Sequence, residues 1–324
     1  YIALGMRDQN RVDGTVSGLG LLAPASIARD ARGIPHIRGR NEHDLFFAQG
    51  YAEGSDRLFQ LDLYRRFVEG TLAEILGSQA IKSDLEKRKL DIARIVDTAY
   101  RSTPENERVA LQAFADGVNA AVANEPLPPE FRLLAYRPQP WRPQDSIAVG
   151  FATVLDLSDS WTDVAVRSEI ASTLGVRALD AFFPLTDPQY DAPTTGAAPA
   201  PVAPLPPLTL LPAPAAVHAS LSVPRDDRVL GSNEFVAGAA RTADGRALLA
   251  NDPHLRLQIP GVWYLLDLSA PGYHAAGASL VGVPGIILGH NDHVAWGATN
   301  GTVAAVTIYR ERFRSACLLY TSPS

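Results

Sequence analysis

Ser232 stands where acyl-transfer chemistry is easiest to place in this chain. It lies within Leu230-Gly231-Ser232-Asn233-Glu234-Phe235-Val236-Ala237-Gly238, just after a proline- and alanine-rich stretch. A Gly-Ser-Asn tripeptide alone reads as a turn. Its place just after that stretch, where a proteolytic boundary would fall, raises it above a bare turn. A serine hydroxyl needs a base beside it, and acyl transfer needs donors aimed at the developing oxyanion. Two later segments carry polar groups of that kind: Ala250-Asn251-Asp252-Pro253-His254-Leu255, and Gly289-His290-Asn291-Asp292-His293-Val294-Ala295-Trp296-Gly297-Ala298-Thr299-Asn300.

Two other hydrolytic chemistries are weighed and set aside. His290 and His293 flank Asp292 in the manner of zinc ligands. Their spacing lacks the Glu and the one-turn helical separation of the zinc-protease motif, and Gly289 to Asp292 reads as a turn, so no metal is assigned. Gly277-Ala278-Ser279-Leu280-Val281 lacks the second glycine of a nucleophile elbow. His36, after Pro35, reads as a packed or hydrogen-bonded core histidine, while His43, His218 and His274 carry no pattern. The lone Cys317 forms no internal disulfide and leaves the compartment open.

The elements that must hold these segments follow from periodicity. Asp30 to Gly33 is a turn, and Ile34 to Ile37 begins an extended piece, since Pro35 disfavours helix before it. Asn41 is the expected cap of a long helical region with Leu45, Ala48 and Ala52 on one face. Leu58, Leu61, Tyr64, Phe67, Val68, Leu72, Ile75 and Leu76 continue the stripe towards a stop at Gly77. A further helix is expected with Thr103 as cap and Pro104 first, carrying Leu111, Phe114, Val118, Ala121 and Val122. After the prolines around Trp141, Asp145 is the expected cap of a helix through Ile147, Val149, Val154 and Leu155. Strands are expected at Ala247 to Ala250, Trp263 to Leu268, Ile286 to Leu288 and Val294 to Trp296. The organisation is thus a mostly helical region over 1–191, a Pro/Ala-rich spacer or linker over 192–231, and a strand-rich region over 232–324. That order predicts an α+β layered fold.

Composition narrows the functions. Apolar residues make up 46% of the 324 and charged residues 20%, a globular balance with room for about two domains. The net charge of −6 and the absence of a basic run speak against nucleic acid as partner. No apolar run is long enough to span a membrane. The chain opens on Tyr1 and contains no signal peptide, which leaves room for a leader upstream.

Taken in order, these segments resemble the penicillin acylase family, whose members have the N-terminal-nucleophile hydrolase fold. The opening half is similar too, at Arg29-Asp30 with Gly33-Ile34-Pro35-His36-Ile37. Gln49-Gly50-Tyr51, Asp56-Arg57-Leu58-Phe59-Gln60-Leu61-Asp62, and Glu69-Gly70 with Ala73-Glu74 and Gly77 continue the likeness. It spans roughly Val16 to Tyr309 outside the spacer, and several spaced motifs in order are more specific than any one. The resemblance implies an αββα layered fold with a largely helical α-chain region. It also implies a precursor cut between Gly231 and Ser232, whose α and β chains stay together as a heterodimer.

Within that resemblance Ser232 is the nucleophile, and Asn300 supplies a backbone oxyanion donor. His254 falls where the family has Gln or His beside the nucleophile, its backbone being a second candidate donor, and Asn233 supports the nucleophile by shaping the turn. The implied activity is hydrolysis of small-molecule acyl amides, of the β-lactam side-chain or N-acyl homoserine lactone type, in the periplasm or outside the cell. Phe235 and Val154 are candidates for an acyl pocket or for core. No cofactor is expected. The family's calcium ligands fall at Ala304 and Thr307, which offer no carboxylate, and only Asp163 or Glu169 matches the ligand from the α chain. The tail from about Arg314 leaves the family's pattern, and the family's further oxyanion asparagine and supporting arginine have no counterpart here. A truncated member is therefore expected, the alternative being an inactive relative that acts as a binding or non-functional protein.

Overall fold

Asp30 makes the first turn, accepting the N–H groups of Arg32 at 2.8 Å and Ile34 at 2.9 Å on Oδ1, while Gly33 takes φ 79°. This joins β1 (Ser26–Arg29) to β2 (Pro35–Arg38) as an antiparallel pair. The computed structural model describes residues 10, 11, 13–157, 160–183, 231–255 and 258–300. His218, most of the spacer, Ala304, Thr307, Cys317, the tail from about 314 and the side chain of Asp163 lie outside the described residues.

Helix α1 (Glu42–Glu69) starts at the expected cap, where Asn41 Oδ1 accepts the Asp44 N–H at 2.8 Å. Asp44 in turn accepts the N–H groups of Leu22 and Ala23, each at 2.8 Å. The helix kinks at Arg57 and ends at Gly70, not at Gly77. Gly70 takes φ 66°, the left-handed conformation that closes helices. The buried Asp84 carboxylate then accepts the Leu72 and Ala73 N–H groups at 3.0 and 2.7 Å, so the last apolar residues of the stripe enter a separate short helix, α2 (Ala73–Leu76).

Next come α3 (Ile81–Lys89), α4 (Ile92–Ser102) and α5 (Glu105–Asn124). Thr103 closes α4 instead of opening α5: its hydroxyl donates to the Ala99 carbonyl at 2.9 Å. Pro104, extended at ψ 151°, is the cap of α5. Beyond α6 (Pro129–Leu133), α7 (Pro143–Leu157) has Asp145 one turn inside, reaching back to the Arg142 N–H at 2.8 Å. It reaches back to the helix start from inside rather than capping the helix itself. Helices α8 (Ser160–Leu174) and α9 (Arg177–Phe182) follow.

The strands after the spacer are β3 (Gly231–Ala237), β4 (Leu248–His254), β5 (Trp263–Ala270), β6 (Tyr273–Leu280), β7 (Leu288–His290) and β8 (Ala295–Trp296). One six-stranded sheet runs β1-β2-β5-β6-β7-β8, and β3 and β4 form a two-stranded ribbon. The β2–β5 pair is parallel and joins the region before the spacer to the region after it. Across β6 and β7, Gly277 faces Gly289; a Cβ at either would lie 2.1–2.2 Å from a carbonyl oxygen of the other strand.

Alternate residues of β5 (Tyr264, Leu266 and Leu268) are buried, whereas Leu265 is half exposed. Leu266, Leu268 and Ile37 share one cluster with Leu45, Phe46, Phe47, Leu58 and Leu61 of α1 and Phe114 and Val118 of α5. Helices α1 and α5 cross closely because glycines stand at the crossing. A Cβ on Gly50 would lie 2.0 Å from the Phe114 carbonyl oxygen, and one on Gly117 would lie 1.9 Å from that of Phe47. The class is α+β, with α1 packed on one face of a mixed sheet. The described residues divide between two compact units, the larger drawn from the stretches up to 156 and from 231 to 300, the smaller holding α8 and α9.

Candidate active site

The ribbon carries most of the residues that sequence singled out. Its register sets Ser232 opposite Pro253, Asn233 opposite Asp252 and Gly231 opposite His254. Directly opposed residues share a face and successive ones alternate. Asn233, Asp252 and His254 therefore occupy one face, and Ser232, Asn251 and Pro253 the other. The hydrogen bonds agree: His254 Nε2 lies 3.0 Å from Asp252 Oδ2 and 3.4 Å from Asn233 Nδ2. The imidazole of His254 is thus a chain neighbour of the serine strand but turns to the Asn233 side. The face with Ser232 and Asn251 is half-buried, while Asn233 and Asp252 are exposed.

The segment bearing Asn300 reaches the ribbon through Asn251. Asn251 Oδ1 accepts the Ala298 N–H at 3.2 Å, and its Nδ2 donates to the Ala298 carbonyl at 3.1 Å and to the Asn233 carbonyl at 3.1 Å. Asn300 follows two residues after Ala298. Ser232, Asn233, His254 and the approach to Asn300 are thereby gathered on one ribbon. Asn251 lies within one of the sequence motifs, but its partners are visible only in the structure.

The other motif residues tie the two chain regions together. Gln49 and Glu53 of α1 are fully buried against the β6–β7 connection. Gln49 accepts the Gly285 N–H at 2.9 Å and donates to Glu53 at 2.9 Å and to the Val283 carbonyl at 3.3 Å. Glu53 accepts the Gly282 N–H at 2.7 Å. Burial pushes its carboxyl up to about 8 against the opposing pull of these donors and of Arg57. Gln60 donates to the Gly261 carbonyl at 2.9 Å, and Asp56 accepts from Tyr264 at 2.6 Å and Arg29 at 2.9 Å. Burial and the Asp56 carboxylate raise the Tyr264 hydroxyl, so it stays a donor.

The residues of the rival readings take other positions in the structure. Ser279 is fully buried inside β6, its hydroxyl donating to the Val283 carbonyl at 2.7 Å. Asn291 Oδ1 accepts the N–H groups of His293 and Val294, each at 2.8 Å, making the β7–β8 connection a tight turn. His36 is a surface partner of Asp267 at 3.4 Å rather than a core residue. His274, patternless in sequence, bonds Asp292 at 2.7 Å, and this raises its imidazole. Phe235 and Val154 are both exposed, so neither is core. Glu169 is exposed on α8. A groove of about 740 Å³ is lined by Arg38, Asp267, His274, Asp292 and Trp296, among others. No residue of the ribbon lines it.

A helical layer on a mixed sheet, with Ser232 near the start of the first described strand after the proline- and alanine-rich stretch, defines an α+β protein. The penicillin amidase family model matches residues 24–320, and the chain belongs to that family. A penicillin acylase 2 proenzyme from Pseudomonas sp. strain SE83 is 32% identical over 312 residues, covering 93% of this chain and 39% of the relative. The acyl-homoserine lactone acylase QuiP of Pseudomonas aeruginosa is 30% identical over 301 residues, covering 91% of this chain and 35% of the relative. The thermostable penicillin G acylase of Alcaligenes faecalis, solved in a tetragonal form, is 29% identical, with a TM-score of 0.45 over 55% of this chain and 98% of that one. The chain thus spans less than half the length of the curated relatives it matches.

Proposed function

We propose that this chain carries the processing site and the nucleophile of a self-processing acyl-amide hydrolase. The observation that supports this best is the ribbon. Ser232 shares its half-buried face with Asn251, which bonds the backbone of Ala298 just before Asn300. In processing, Ser232 Oγ attacks the Gly231 carbonyl, the peptide N–C bond breaks, and an ester forms that water opens. Gly231 eases the conformation this requires. The product is a serine with a free α-amine of pKa roughly 7.7–8.0. That amine, through a bridging water, takes the proton from Oγ when a substrate amide is attacked. The acyl group passes to Oγ, the substrate amine leaves with a proton, and water releases the acid. The Asn300 N–H and the backbone at His254 are the donors for the oxyanion, with Asn233 shaping the turn.

The substrate class is small acyl amides. The relatives' names offer penicillins and acyl-homoserine lactones, and nothing in the described residues chooses between them. After cleavage the α and β chains remain a heterodimer, joined by the β2–β5 ladder and the Gln49, Glu53, Asp56 and Gln60 hydrogen bonds. A periplasmic or secreted location goes with this reading; no described helix is long and apolar enough to cross a membrane. No cation enters the mechanism, since Ala304 and Thr307 carry no carboxylate at the positions that the resemblance assigns to calcium ligands.

Intact masses of the protein expressed from its complete reading frame, beside Ser232→Ala, test the proposal. Wild type splits into two fragments, one beginning at Ser232, and the variant stays whole. Two uncut chains, or two chains cut alike, would instead leave an inactive relative.

A further inference from the structure

We infer that Asn251 is a positioning residue that holds the Asn300 segment in register with the nucleophile strand. The inference rests on the proposed roles of Ser232 and Asn300. It starts from the three hydrogen bonds of one side-chain amide. With Oδ1 on the Ala298 N–H and Nδ2 on the Ala298 carbonyl, Asn251 engages both backbone groups of a single residue, as a neighbouring strand would. The second Nδ2 hydrogen goes to the Asn233 carbonyl, inside β3 and next to Ser232. The orientation of the amide is fixed by its partners, because only oxygen accepts from an N–H and only nitrogen donates to a carbonyl.

A second observation comes from packing. A Cβ placed on Gly297 would lie 2.9 Å from Asn251 Cβ and Cγ and 3.0 Å from Oδ1. Any side chain at 297 would therefore push the amide off Ala298. Asn251 also occupies the face of the ribbon that bears Ser232, since it is two positions from Pro253, the residue opposite Ser232. One amide therefore spans the nucleophile strand and the backbone that leads to the proposed oxyanion donor. Hydroxyl attack and oxyanion capture must be aligned to within a fraction of an ångström, and a misplacement of about 1 Å costs roughly 100-fold in rate. Asn251 does not touch the reacting atoms; it sets the distance between the groups that do.

Asn251→Asp is the sharpest probe. It keeps the shape of the side chain but replaces two donated hydrogen bonds with an oxygen facing two carbonyl oxygens. Gly297→Ala is the second variant and displaces the same amide from the other side. Both are compared with wild type from the complete reading frame. Readouts are self-processing by intact mass, thermal midpoint, hydrogen exchange across 297–300, and kcat and KM on a chromogenic acyl amide. Slower processing is expected, with kcat down about 10- to 100-fold at a KM within roughly twofold of wild type, as for an interaction felt in the transition state. Faster exchange is expected at 297–300, with the thermal midpoint close to wild type. Wild-type processing and kcat in both variants overturn the inference. So does loss of the fold in both, which would make Asn251 merely structural. A wild type that neither cuts itself nor hydrolyses amides overturns the Ser232 reading, and this inference falls with it.

Discussion

Asp62 accepts from three buried or half-buried donors: Arg65, Arg66 Nε at 2.8 Å and the Tyr136 hydroxyl at 2.8 Å. Deleting one partner from such a network strands charge in the interior, so Asp62→Ala is expected to cost about 3–5 kcal/mol, read from urea unfolding. His274 behaves differently because it lies near the surface. Its imidazole is raised first by the hydrogen bond to Asp292, so Asp292→Asn lowers its titration midpoint, as NMR of the ring protons would register; an unmoved midpoint would refute the pairing. These two residues also mark how far a sequence speaks for single side chains. Asp62 stood in a motif whose likeness to a family was visible, but its partner Tyr136 is 74 positions away. His274 had no pattern because its partner Asp292 is brought near only by the β6–β7–β8 meander. Ser232, Asn233, His254 and Asn300 stand in motifs that mark them as candidates together; that the imidazole of His254 turns to the face opposite Ser232 depends on pairing register, which no local spacing encodes.

Elements were legible where local chemistry dictated them. The Asn41 cap needed only Asn41 and Asp44, and the turn at Asp30 only Asp30 and Gly33. The end of α1 is not legible in the sequence because its apolar stripe runs on through Leu72, Ile75 and Leu76; what stops it is Gly70, helped by Asp84 from twelve residues beyond Leu72. Helix α3, written Ile-Lys-Ser-Asp-Leu-Glu-Lys-Arg-Lys, has too few apolar residues to show a stripe. Strand β6 hid for another reason: its middle is Ala, Gly and Ser, small enough for the close approach of β7 at Gly277 and Gly289. The same logic governs the α1–α5 crossing. Gly50→Ala and Gly117→Ala each put a methyl where a carbonyl oxygen already lies, so the helices must part and Phe47 and Phe114 lose contacts. Each is expected to destabilise by about 1–3 kcal/mol or more, seen as a lower urea midpoint. An unchanged midpoint in both would mean that the crossing is looser than the structure has it.

For the molecule as a whole, Glu53 links stability to pH. Its carboxyl titrates near 8 in the fold against 4.5 when free, so between those values the folded chain holds a proton that the unfolded chain has released. Stability conferred by this group is fully present below 4.5 and falls as pH rises towards 8, by roughly 3–5 kcal/mol in all. Urea midpoints at pH 5, 6.5 and 8 should decline more steeply for wild type than for Glu53→Gln, and parallel lines would remove Glu53 as the cause. The β2–β5 ladder has a different consequence, one of kinetics. Pairing His36 with Asp267 closes a loop of roughly 230 residues, so it forms late, after the nearby α1 and α5 have found each other. In an uncut chain that closure is a first-order event, indifferent to dilution. If the peptide before Ser232 is broken as proposed, the same step becomes an encounter between two molecules. The processed protein, unfolded and then returned to buffer, should regain its structure at a rate that rises with concentration.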